Sequence, residues 1–165
     1  MLDSVVTNLT EWDIVIRLVL ATLLSGLVGI EREYHRKPAG LRTNVMVGLG
    51  SAIFTLASIR AADLFPDMNV DPTRIAAQIV TGIGFLGVGT IIFDKDRTSV
   101  LGLTTAATLW VVAGVGMAAA LGLYVEAIIA TLLVFFTFLV LSRIVDRVRS
   151  GRLTNDAKPA EEPKP

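Results

Sequence analysis

Glu31, Arg32 and Glu33 stand in a row, with Lys37, Arg42 and Thr43 close behind. Basic residues in such a cluster can anchor a chain electrostatically, but two carboxylates among them call for another use. One use is a salt-bridge network that clamps the loop. The other is a cation site, because Mg2+ takes one or two carboxylates and keeps several of its waters; Glu31 and Glu33 are then the metal-ligand candidates. A second polar set is uncharged: Gln78 and Thr81, then Thr104, Thr105 and Thr108, with Arg74 four residues before Gln78. An amide has four hydrogen-bonding positions to satisfy, so Gln78 is expected to bond across to another helix. A threonine hydroxyl can instead bond back to its own helix. Asp63, Asp67 and Asp71 repeat every four residues, but Pro66 and Pro72 argue against a continuous helix there. A solvated acidic loop, or a weak divalent-cation site, is what remains.

Other chemistry is excluded or disfavoured. The chain has no cysteine and a single histidine, His35, which sits beside Arg36 and Lys37. Disulfides, thiolate sites and a His/Cys zinc site within one chain are therefore ruled out. No nucleophile, base and orienting acid come together, so enzyme activity is not expected, and Mg2+ is the one cofactor the residues suggest. A formal net charge of zero points to no nucleic-acid partner.

The elements that must position these groups are apolar. Of the 165 residues 53% are hydrophobic and 18% charged, too little polar surface for a soluble domain of this length. Five stretches stand out, at residues 14–30, 44–59, 75–93, 101–117 and 123–142. Each is near the roughly 20 residues that cross a bilayer, and backbone groups in hydrocarbon must be satisfied internally, so all five are expected to be helices. A soluble bundle would need a polar stripe on each helix; Leu132 to Leu141 (LLVFFTFLVL) offers Thr137 alone. The last two stretches are read as separate helices because a single span of their combined length would overshoot the membrane. The fold class is thus all-α, a polytopic protein of five transmembrane helices.

Charge placement sets the orientation. Twelve of the fifteen basic residues (Arg32, Arg36, Lys37, Arg42, Lys95, Arg97, Arg143, Arg147, Arg149, Arg152, Lys158 and Lys164) fall on one side of a five-helix arrangement. By the positive-inside rule that side is cytoplasmic. The amino terminus is then outside and the carboxyl terminus inside. Trp12 and Tyr124 fall at the outer interface. Residues 1–13 carry Asp3, Glu11 and Asp13 without Lys or Arg, unlike a secretory signal. The chain divides into a short outer segment, 1–13, a membrane domain, 14–142, and a basic segment with a Pro- and charge-rich tail, 143–165, expected to be disordered.

Gly82, Gly84, Gly87 and Gly89 include a GxGxxG pattern, but it lies inside a membrane-length apolar run and lacks the strand a dinucleotide site requires. Close helix packing is the expected use, since small residues let backbones approach. Gly26 and Gly29 with Ala21 and Ser25 offer the same on the first helix, Gly48 and Ala52 on the second, Gly102 and Ala106 on the fourth. The bulky fifth helix, with Phe135, Phe136 and Phe138, is expected at the lipid-facing edge. Glu126 is expected near the outer interface, in contact with water.

Three ordered motifs resemble the signatures of the MgtC/SapB family: Gly26 to Glu33 (GLVGIERE) with Lys37 to Thr43 (KPAGLRT), Arg74 to Gly87 (RIAAQIVTGIGFLG), and Gly102 to Ala107 (GLTTAA) with Trp110. The resemblance covers about residues 14 to 140. It implies a five-helix domain of the bacterial inner membrane, linked to growth in low magnesium and, in pathogens, to survival in macrophages. It also implies a regulatory role that restrains the F-type ATP synthase. Direct Mg2+ transport is the older label. This chain differs in having a short tail where some members carry an ACT-like domain, and Asn44 where a histidine is common. The expected function is a membrane-embedded regulator that works by helix contact with lipid and a membrane complex such as the F-type ATP synthase. The alternative is a channel or transporter for Mg2+ or another cation, formed as a homo-oligomer because no internal repeat is evident. A ligand-free assembly subunit is the third reading.

Overall fold

A computed structural model of the chain describes residues 9–65, 71, 73–94, 99–141 and 143. The expectations that concern residues 1–8, Asp67 between Pro66 and Pro72, Lys95, Arg97 and the tail after Arg143 lie outside the described residues. Five α-helices and one short hairpin follow in order: α1 (Glu11–Tyr34), α2 (Leu41–Leu64), α3 (Arg74–Gly89), β1 (Ile92–Asp94), β2 (Ser99–Leu101), α4 (Leu103–Ala120) and α5 (Tyr124–Phe136). The helices α1, α2 and α4, of 24, 24 and 18 residues, are long and apolar enough to cross a membrane; α3 and α5 are shorter apolar helices.

Local chemistry sets the helix ends. Thr10 and Asp13 form a reciprocal capping box, Asp13 N donating to Thr10 Oγ1 at 3.2 Å and Thr10 N to Asp13 Oδ2 at 3.0 Å. That satisfies orphan donors of the first turn and starts α1 ahead of its apolar run. The amide of Ile75 donates to Ser58 Oγ of α2 at 3.3 Å, which ties the start of α3 to α2.

The third apolar run was expected to be helical through Phe93, but α3 ends at Gly89 and the chain turns into the antiparallel pair β1–β2, with Ile92 opposite Leu101. Gly102 makes this possible. Its φ is +90°, a region open to glycine, and a Cβ there would strike the carbonyl of Thr90. The role assigned to Gly102 is therefore corrected: it closes the hairpin base and precedes α4 rather than packing one helix on another.

Residues 1–131 form one compact unit and residues 132–165 a second. The first holds the core: Ala21 and Leu24 of α1, Ala52 and Leu56 of α2, Val115, Ala119 and Ala120 of α4, and Ala127 of α5. Closest approach is made by small residues. A Cβ on Gly48 would overlap Ser25 Oγ, and one on Gly116 would overlap the carbonyl of Gly48, so α1, α2 and α4 meet backbone to backbone. In the second unit the described chain is the end of α5 and a π-helical turn, Thr137–Leu141, with Thr137 Oγ1 donating to Leu133 O at 2.8 Å. Phe136 is exposed, whereas Phe135 and Phe138 are half-buried.

The burial pattern differs from that of a water-soluble protein in how many large apolar side chains are exposed and how many polar ones are buried. α1 buries Arg17, Ala21, Ser25, Gly29 and Arg32 and exposes Val19, Leu23, Leu27 and Ile30. α2 buries Asn44, Gly48, Ser51, Thr55 and Ser58 and exposes Met46, Ile53 and Phe54. Leu24, Val28, Val47, Leu56 and Ile59 are buried as well, so the contact mixes apolar with small and polar residues, while many large apolar side chains face out, as expected when lipid is the solvent and helices associate by close packing. Three buried threonine hydroxyls are satisfied within their own helices: Thr55 Oγ1 to Ser51 O, Thr108 Oγ1 to Thr104 O and Thr131 Oγ1 to Ala127 O, at 2.8, 2.7 and 2.9 Å.

Candidate functional site

The charged cluster folds around the turn from α1 to α2. Glu31 and Arg32 occupy the last turns of α1, where a carboxylate opposes the helix dipole and needs a cation. Arg32 supplies it in a fork: Nε donates to Glu31 Oε2 at 2.5 Å and Nη2 to Glu31 Oε1 at 2.9 Å. Both side chains are largely buried, at 6% and 11% exposure. His35 Nδ1 lies 3.1 Å from Glu31 Oε1 and 3.0 Å from the Glu31 carbonyl. Glu33 has a different task. Its Oε2 accepts from the amide of Leu41 at 3.0 Å, and so caps α2, whose own cap position is Gly40. A Cβ at Gly40 would collide with the Glu33 carboxylate.

Asn44, where a histidine was the family expectation, clamps the loop. Its Nδ2 donates to the carbonyls of Ala39 (2.6 Å) and Gly40 (2.9 Å). These bonds hold a loop in which Arg36 and Ala39 adopt φ of 51° and 56°, unusual for residues with side chains. Asn44 is fully buried, and its Oδ1 has no hydrogen-bond partner.

The two metal-ligand candidates are thus engaged elsewhere. A cation would have to displace Arg32 from Glu31 or the Leu41 amide from Glu33. Among the described residues no group of three His, Asp or Glu side chains comes together. Lys37 joins the turn through its backbone, N to Arg32 O at 2.9 Å; its side chain is exposed, as are those of Arg36, Arg42 and Thr43. Ahead of α3 the Thr73 hydroxyl and amide, at 2.7 and 2.8 Å, hold the Asp71 carboxyl below its usual range.

The uncharged candidates fall elsewhere. Gln78 makes no interhelical hydrogen bond among the described residues. It is exposed on the wall of an open groove of about 490 Å3 between α2 and α3. The walls are Thr43, Met46, Val47, Gly50, Ser51 and Phe54 from α2, and Ile75, Gln78, Ile79, Gly82, Ile83 and Leu86 from α3. Each set follows the i, i+3, i+4, i+7, i+8, i+11 spacing of one helix face. Thr43 and Gln78 therefore share this site, while Arg74 is exposed at the start of α3. Thr104 is exposed and Thr105 buried in the first turn of α4. No hydrogen bond among the described residues joins either of them to the Glu31 cluster.

The glycines expected to pack helices separate into two groups. Gly29 would bring a Cβ to 2.7 Å from the Leu41 backbone, while Gly26 (3.4 Å from Val45 Cγ2) and Gly87 (3.5 Å from Ala106 Cβ) make ordinary contacts. At Gly82, Gly84 and Gly89 a Cβ would meet nothing within 4 Å. The packing expected of these three is not made among the described residues, because α3 turns only Ala76, Ile83 and Gly87 fully inward.

Sequence reasoning missed Arg17 as a buried residue. Its Nη1 donates to the Ala120 carbonyl at the end of α4 at 2.6 Å, and Gly122, with φ +80°, leaves room beside it. The available signal was a lone charge inside an apolar run.

Comparison with known proteins agrees with these features. The MgtC family matches residues 18–147. Relatives include "Protein SapB" of Bacillus subtilis, 38% identical over 144 residues that cover 86% of this chain and 62% of the relative. "Putative magnesium transporter YhiD" of Escherichia coli K12 is 44% identical over 132 residues, covering 76% and 60%. "Protein MgtC" of Salmonella typhimurium LT2 is 42% identical over 134 residues, covering 81% and 54%. The chain thus spans about three fifths of the length of these relatives. No solved structure matches it.

Proposed function

This chain belongs to the MgtC family, and on that premise we propose that it is a multi-pass protein of the bacterial inner membrane that regulates another membrane complex by helix contact during adaptation to low magnesium. The burial pattern carries the reading: large apolar side chains cover the outside of α1 and α2, while polar and small residues are buried beside apolar ones between them. All five helices span, α3 and α5 by borrowing flanking residues, with the amino end outside and the carboxyl end in the cytoplasm. Residues 14–142 make up the membrane domain.

The F-type ATP synthase is the proposed target. Helix contact suits the open glycines Gly84 and Gly89 of α3, where a partner backbone can approach closely. ATP-driven proton pumping in inverted membrane vesicles tests this: the protein is expected to depress pumping, and equal pumping with and without it would refute the regulatory role.

A second reading, a cation transporter or channel, is favoured by the printed name of the Escherichia coli relative. Purified protein in liposomes with an enclosed Mg2+ dye decides between the two, since flux down a gradient would support transport. The groove lining in this chain, with Thr43, Ser51 and Gln78 among apolar neighbours, favours the regulatory reading over an aqueous path.

A further inference from the structure

The groove between α2 and α3 has the shape and charge of a site for an amphiphile. It is about 490 Å3, open, and nearly all apolar, within the range of small-molecule sites. Its length follows from its walls. From Thr43 to Phe54 on α2, and from Leu86 back to Ile75 on α3, eleven residues at about 1.5 Å each give about 16 Å. A helix that docked there would need to cross about 30 Å of hydrocarbon, whereas one leaflet is about 15 Å deep. The groove therefore matches the acyl region of a single leaflet. It begins at the α1–α2 turn, beside which Arg36, Lys37 and Arg42 are exposed and make no ion pair among the described residues. Gly50 and Gly82 on its walls have open space where a Cβ would go. Glycine inside a helix is less favourable than alanine, and no packing among the described residues requires it at either place.

We infer that the groove holds an acyl chain of an anionic glycerophospholipid of the inner leaflet, whose phosphate is met by Arg36, Lys37 and Arg42. Apolar walls recognise the chain, and the cationic mouth recognises the headgroup charge. Negative lipid at the cytoplasmic surface is the natural counter-charge for such a loop. The inference rests on the proposed membrane topology, which places this turn on the inner face.

Native mass spectrometry of the purified full chain, equilibrated with mixed phosphatidylglycerol and phosphatidylcholine, tests it. The chain is expected to retain phosphatidylglycerol at least tenfold over phosphatidylcholine, given about fivefold per basic residue. Gly82→Leu puts a side chain into the open space at the groove wall and should abolish retention of both lipids. Gly84→Leu has the same open space but lies off the groove, and should retain lipid normally with the same thermal stability. The triple change Arg36→Gln, Lys37→Gln and Arg42→Gln should keep the chain-filled groove and reduce the preference to about twofold. Equal retention of the two lipids by the unmodified protein, or retention unchanged by Gly82→Leu, would overturn the inference. So would binding of glycerol phosphate as tight as that of the lipid, which would mean a headgroup site alone. A complete disulfide dimer of Gly82→Cys in membranes without retained lipid would place a second copy in the groove and overturn it too. The assay is read on purified protein, so its failure is distinct from a failure of the topology, which residue accessibility reads.

Discussion

Arg17 Nη1 donates a hydrogen bond of 2.6 Å to the carbonyl of Ala120, joining the amino-terminal half of α1 to the last residue of α4. The four last carbonyls of a helix have no partner within it, and a cation there also complements the dipole. Arg17→Met keeps the buried volume and removes the donor. It is expected to destabilise the protein by about 1.5–3 kcal/mol, the range for a bond to a charged group, with Arg17→Lys in between. Thermal unfolding in detergent measures this, and a Met variant as stable as the parent would remove Arg17 from the account.

Glu31 and Arg32 form a largely buried fork. Breaking a largely buried pair by removal of one partner costs about 3–5 kcal/mol. Glu31→Gln and Arg32→Met should each be strongly destabilising, and the double change should cost clearly less than their sum. Chemical denaturation of the three variants forms the cycle. Additive effects would show that the two charges are not coupled.

Glycine positions in the helices should respond in opposite directions. Gly116→Ala drives a Cβ into the Gly48 carbonyl, and overpacking of this kind costs about 1–3 kcal/mol. Gly82→Ala meets nothing within 4 Å and should be neutral or stabilising by up to about 1 kcal/mol. The order of melting temperatures in a common detergent checks both.

Asp71 provides a pH-dependent element outside the helices. Hydrogen bonds from the Thr73 hydroxyl and amide lower its pKa from the usual 3.8. A depressed carboxyl contributes stability that is present above the unfolded value and lost as pH falls through the folded one. Thr73→Val should raise the Asp71 titration midpoint, read by carbonyl chemical shift. An unmoved midpoint would mean that Thr73 does not hold the carboxylate.

Much of the helical order was legible because apolar runs of membrane length leave little choice. What surrounds each run was less so. Thr10 and Asp13 extend α1 through a capping box that the apolar pattern alone does not reach. Ile91, Ile92 and Phe93 continue the apolar run of α3 without a break, so the hairpin was hidden, although Gly102 marks where it closes. Spacing showed that Gly82, Gly84 and Gly89 could pack, but not which face of α3 turns inward. Gln78 was expected to bond across to another helix, yet its neighbours are the walls of a groove. The cluster at Glu31 was legible as a charged clamp. The division of labour in it, Glu31 for Arg32 and Glu33 for the amide of Leu41, depends on a turn geometry that no spacing encodes.

Lipid around the apolar faces, with the α1–α2 turn and the α2–α3 loop on opposite sides, is the claim on which the rest depends. The chain has no native cysteine, so Arg36→Cys and Asp63→Cys, both at exposed positions, can be probed singly in intact cells with a membrane-impermeant maleimide. Position 63 should label in intact cells and position 36 only after the membrane is opened. Labelling of both positions from the same side would contradict the account.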